Sequence, residues 1–161
     1  GQAARARLLG GPPRPPPSAR LHEGGNFGLP TSPALKARIE NDLGLTCERM
    51  RDLKRRCVRV LPGGDYGFPW NPHGNNARDL AYFVDLLGYT PMEAIVAATS
   101  YGGALMGKPG ELGVVREGAL ADLLLVDGDP LADVTVMQDR SRLAAIVKDG
   151  AFHKRPDTLM P

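Results

Sequence analysis

Two cysteines, Cys47 and Cys57, are all that the 161 residues contain. They form no Cys-x-x-Cys pair and no zinc-finger spacing, and two are too few for a disulfide framework. A reduced, cytoplasmic setting is therefore expected. Net charge is scarce as well: 20 basic against 18 acidic residues leaves +2. That balance argues against a nucleic-acid-binding module, and no motif of one is present. No apolar run approaches a membrane span. The start lacks a signal-peptide core, since Leu8-Leu9 passes straight into glycines and prolines. It also lacks an initial Met, which reads as a truncated chain.

The hydrophobic share is 42%, enough for one water-soluble domain with a core. Residues 1–20 carry no carboxylate and are crowded with Pro, Arg, Ala and Gly. Such a stretch buries too little apolar surface to offset its ordering entropy, so 1–33 reads as a disordered tail and loop. A polyproline ligand around Pro12–Pro17 is the alternative. Ser32-Pro33 is a helix start. Leu35, Ile39, Leu43, Met50 and Leu53 keep helical spacing to about Arg56, with a break expected at Gly44-Leu45-Thr46. The cationic run Arg49, Arg51, Lys54, Arg55, Arg56 and Arg59 reads as a solvated helix face, or else as a phosphate patch.

Val58–Leu61 is the expected strand. It ends in Pro62-Gly63-Gly64 and delivers Asp65 to a loop. In α/β proteins chemistry sits at the C-terminal ends of strands. Downstream, Asn76 is expected to cap a helix through Leu87, with Leu80, Phe83, Val84 and Leu87 on one face. Gly88 stops it, and Thr90-Pro91-Met92-Glu93 is a capping box. Glu111–Val115, Ala121–Val126 and Leu143–Lys148 are strand-like, and Asp149-Gly150 signals a hairpin.

Asp65 has two open readings: an oxygen ligand that doubles as general base, or a loop aspartate bonding its own turn. His73 is either a substrate contact or a surface histidine. Tyr66, Phe68 and Trp70 either line an apolar pocket or pack under the loop. Asp122, Asp127 and Asp129 lack calcium-loop spacing and read as turn residues. Cys57 is expected to head a buried, inert strand.

The series Thr90–Thr99, Glu111–Val115, Arg116–Leu131 and Val147–Gly150 resembles the C-terminal part of the amidohydrolase superfamily. The likeness is to the cytosolic branch with imidazolonepropionases and prolidase-like enzymes, and it covers roughly residues 35–154. Its specific part is the run from Gly113 through Gly118, Ala121-Asp122-Leu123 and Asp127-Gly128-Asp129-Pro130. This resemblance implies an α/β fold: the C-terminal fragment of a (β/α)8 TIM-like barrel, residues 34–108, and part of a small composite β-sandwich, residues 109–155, with a tail at 156–161. It implies a divalent metal, zinc by preference, in the full-length parent. Asp65 would be both metal ligand and catalytic proton acceptor; His73, Tyr66 and Trp70 are the substrate-contact candidates by their place on the loop after it. Gly63-Gly64-Asp65 departs mildly from the more usual Gly-Thr/Ser-Asp.

A full barrel takes about 250 residues. The family's other ligands include an His-x-His, which His22, His73 and His153 do not make. The expected activity is hydrolysis of a C–N bond in a small-molecule, cyclic-amide or peptide-like substrate. The alternative is a non-catalytic fragment or partner domain. No nucleic-acid or membrane partner is expected. Cut from its barrel, the chain is expected to expose apolar surface at Val58–Leu61 and Leu123–Val126, and to aggregate or form a homo-oligomer.

Overall fold

A computed structural model describes residues 32–68 and 71–156. The Pro/Arg-rich stretch, His22 and Trp70 lie outside the described residues. Helix α1, Pro33–Arg55, starts as expected: the Ser32 hydroxyl accepts from the Leu35 amide at 3.2 Å, and Pro33 opens the first turn. It does not break at Gly44. The Thr46 hydroxyl donates back to the Asp42 carbonyl at 2.7 Å, inside the same helix. One glycine costs a helix only about 1 kcal/mol against alanine, too little to divide 23 residues.

The end of α1 corrects the expected strand. Cys57 takes the left-handed φ of 57°. Its amide bonds the Lys54 carbonyl, and the Val58 amide bonds the Leu53 carbonyl. This is a Schellman stop with cysteine where glycine is usual. Cys57 is therefore exposed rather than heading a buried strand, while Cys47 is buried on α1 and both thiols are free. Residues 58–61 pair with no strand among the described residues. They are not an exposed patch either: Val58, Val60 and Leu61 are half-buried, and Val60 packs against the core.

Helix α2, Arg78–Asp85, begins two residues beyond Asn76, whose side-chain oxygen accepts from the Gly74 amide instead of capping the helix. Gly88 closes the segment with φ 70°. Helix α3, Pro91–Ala98, carries the expected capping box, with Thr90 and Glu93 each bonding the other's amide. A kink at Thr99 leads to α4, Ser100–Leu105. Part of the cationic run on α1 is a clamp rather than a solvated face. Lys54 Nζ reaches the Gly88 carbonyl at 2.6 Å and Glu93 at 2.8 Å, 4.5 Å over the Tyr89 ring. Arg51 bonds the Leu86 carbonyl. The cations of one helix thus satisfy the last carbonyls of the next.

The expected strand at 111–115 is a turn-rich connection with one isolated bridge, Pro109 to Leu112. Its glycines explain why. A side chain at Gly113 would strike the Thr99 carbonyl, and one at Gly103 the Leu112 carbonyl. The segment lies so close on α3 and α4 that backbone meets backbone.

Strands β1 (Leu123–Val126), β2 (Leu143–Lys148) and β3 (Ala151–Lys154) form an antiparallel sheet in that order. Asp149 and Gly150, at φ 50° and 77°, make the hairpin turn as expected. Between β1 and β2, two 3₁₀ turns, Val134–Gln138 and Arg140–Arg142, return over α2. They place Val134, 3% exposed, in one core with Leu80, Ala81, Phe83, Tyr89, Ala94 and Ala97. Residues on both sides of position 109 therefore share a single core. Leu123, Leu124 and Leu125 are exposed along β1, as expected. No helix among the described residues is long and apolar enough to cross a membrane.

Candidate functional site

The loop from Pro62 to Ala77 joins the end of α1 to the start of α2, and Asp65 stands exposed on it. Its carboxylate makes no hydrogen bond or ion pair among the described residues, so it is open to a ligand. The backbone around it is held firmly. The Gly67 amide donates to the Asn71 carbonyl and the Asn71 amide to the Phe68 carbonyl, both at 2.9 Å. Asn71 is 1% exposed. Its Nδ2 donates to the Asp65 carbonyl at 2.8 Å, and its Oδ1 accepts from the Arg78 guanidinium at 2.8 Å. Fully buried side-chain amides require partners at both ends, and this one has them.

His73 is exposed, with its ring over Gly67: a side chain there would sit 3.1 Å from Nε2, and the φ of 115° suits glycine alone. The loop thus brings His73 beside the turn that carries Asp65. Tyr66 points inward, its ring folded over Gly64 so closely that Gly64 has no room for a side chain. The buried Tyr66 hydroxyl interacts with the Asp79 carboxyl without closing a well-formed hydrogen bond. Burial, and then Asp79, push the Tyr66 hydroxyl far above the usual phenol range. Burial likewise raises the Asp79 carboxyl, with Tyr66, Arg78 and Gly64 pulling it partly back. Asp79 lies in the first turn of α2, where a carboxylate suits the helix dipole. It is buried there and faces the loop.

Asn71 and Arg78 were missed as site residues. The Asn71-Pro72 dipeptide is a turn signal that could have marked the first. Nothing in spacing alone points to the second. Among the described residues, no three His, Cys, Asp or Glu side chains gather as a metal cluster. Asp65 offers one oxygen donor, where a catalytic zinc takes three protein ligands. The described residues therefore fit one corner of such a site and not the whole.

Residues 32–152 match the model of the amidohydrolase family. Over 86 residues, 53% of this chain and 18% of the relative, the chain is 36% identical to an ochratoxinase of Aspergillus niger. Over 66 residues, 41% of this chain and 16% of the relative, it is 38% identical to an imidazolonepropionase of Ralstonia nicotianae. A prolidase solved with N-methylphosphonate-L-proline superposes with a TM-score of 0.71 at 27% identity, covering 86% of this chain and 33% of that one. The chain thus spans about a fifth of these curated relatives' length and a third of the prolidase's. With the family match running from the N-cap of α1 into β3, the chain belongs to the amidohydrolase family, whose members are generally metal-dependent hydrolases.

Proposed function

We propose that the protein hydrolyses a C–N bond in a small amide, and that this chain supplies Asp65 as its proton-transferring carboxylate. The observation that carries the reading is an exposed carboxylate on a rigidly held loop, within a stretch matching the amidohydrolase family. Similarity to an ochratoxinase, an imidazolonepropionase and a prolidase supports a peptide-like or cyclic amide as substrate class.

In this reading residues 58–65 run as one spoke of a (β/α)8 barrel, and β1 to β3 form part of a β-sandwich. Asp65 would hold a divalent ion, zinc by preference, together with ligands from outside the described residues. Such an ion, when bound, brings a coordinated water towards neutral pKa and polarises the amide carbonyl. The Asp65 carboxylate would accept a proton from the attacking water and deliver it to the departing nitrogen, so that an amine leaves rather than an amide anion. His73 and Trp70 are the substrate-contact candidates, His73 by its exposed ring beside Gly67, while the inward Tyr66 takes the alternative role of packing under the loop. The two free thiols agree with a reducing, cytoplasmic setting.

The test is a three-amide panel: an X-Pro dipeptide, an N-acyl amino acid and a cyclic imidazolone amide, assayed with zinc-loaded full protein. One is expected to turn over, and Asp65→Asn to lower kcat by about 100-fold or more. Near-normal turnover of Asp65→Asn would sink the assignment. That no three candidate ligands gather among the described residues favours a second reading, a non-catalytic fragment or partner domain. Stoichiometric zinc binding that Asp65→Asn abolishes contradicts it.

A further inference from the structure

We propose that Asn71 and Arg78 are positioning residues for Asp65: a two-bond link from α2 to the Asp65 carbonyl sets where the carboxylate stands. This rests on the reading of Asp65 as the proton-transferring group. The donor and acceptor chemistry is restrictive. The Asp65 carbonyl can only accept and the Arg78 guanidinium can only donate, so the residue between them must donate at one end and accept at the other. The Asn71 amide does both through separate atoms, Nδ2 donating and Oδ1 accepting, and the two partners fix which way it points.

Both bonds are 2.8 Å, and Asn71 is 1% exposed. Its own amide and carbonyl are also committed, to Phe68 and Gly67. Arg78 is itself anchored in the first turn of α2, next to buried Asp79 and 5.8 Å over the Tyr82 ring. The exposed carboxylate of Asp65 has no such support of its own. Its place is inherited from the main chain, and the main chain is held by Asn71. A displacement of about 1 Å at a reacting group costs about 100-fold in rate. The link is thus expected to act on kcat rather than on substrate affinity.

Asn71→Asp puts an acceptor against the Asp65 carbonyl, and Asn71→Leu removes both bonds at similar volume. In the zinc-loaded full protein, on the fastest amide of the panel, both are expected to lower kcat about 10- to 100-fold, with KM within about threefold. Arg78→Met is expected to do the same, and Arg78→Lys to recover most of the loss by restoring a donor to Oδ1. A readout independent of turnover is the Asn71 side-chain amide in nitrogen-15 NMR. Its protons are expected to exchange slowly in the native protein and fast in Arg78→Met. Native kcat in folded Asn71 variants, or an Arg78→Met protein with the amide still protected, overturns the proposal. If an Asn71 variant does not fold, the Arg78 pair decides on the same two readouts. Full activity of Asp65→Asn, or an inert native protein, overturns the functional reading and this proposal with it. Loss of turnover in Asp65→Asn beside native Asn71 and Arg78 variants overturns the positioning role alone.

Discussion

Asp79 shows what burial does to one carboxyl. Its folded-state pKa is raised, chiefly by burial. A raised pKa means that the folded state holds the proton more tightly than the unfolded chain does. The stability this brings is complete below the unfolded value, 3.8, and is lost as pH rises through the folded one. The groups facing it are the Tyr66 hydroxyl, the Arg78 cation and the Gly64 amide. Asp79→Asn keeps the shape and cannot ionise. Thermal melts should therefore show the variant gaining on the native protein from pH 4 to pH 7. A difference that stays flat with pH, or that shifts in favour of the native protein, would show that Arg78 compensates the buried charge fully. Helical spacing placed Asp79 on α2 but could not show it buried, because the loop that covers it arrives from an earlier part of the chain. The same holds for Asn71: its partners stand six residues back and seven ahead, on no common period.

At the scale of elements, two glycines with opposite surroundings make a paired test. Gly44 lies within α1 with open space where a Cβ would stand, so Gly44→Ala should stabilise by about 0.5–1 kcal/mol. Gly113 has φ 73° and the Thr99 carbonyl against it, so Gly113→Ala should cost on the order of 2–4 kcal/mol. Denaturant unfolding of both measures it, and equal effects would contradict the close approach of 109–115 to α3. Elements whose signals are local were readable from the chain: the Ser32-Pro33 start, the Thr90–Glu93 capping box, β2, and the Asp149-Gly150 turn. Val58–Leu61 was misjudged because β-branched composition marks a chain able to pair, and pairing depends on neighbours that local sequence does not name. Glu111–Val115 failed for a related reason, since Gly113 serves a close contact that periodicity ignores. The Lys54 clamp joins residues 34 and 39 positions apart, beyond any helical pattern.

For the whole molecule, the sheet leaves large apolar side chains uncovered among the described residues. Leu123 and Leu125, at 38% and 57% exposure, share a face near Phe152 at 46%, and β1 has a free edge among the described residues. Such a surface favours self-association. The 161-residue chain alone is expected to bind apolar dyes and to sediment faster as concentration rises. Leu125→Lys should weaken both effects. A dye-silent monomer at all concentrations would show the surface to be innocuous. Val134 bears on the ancestry of the chain. It enters the helical core from a turn between β1 and β2, so the helices and the sheet are not separable goods in evolutionary exchange. A crossover in the exposed stretch 115–118 would strip a buried side chain from α2 and α3 and leave a hole that a foreign sheet could fill only by chance. Recombination that respects this core must carry the helices and the sheet together, as one inheritance.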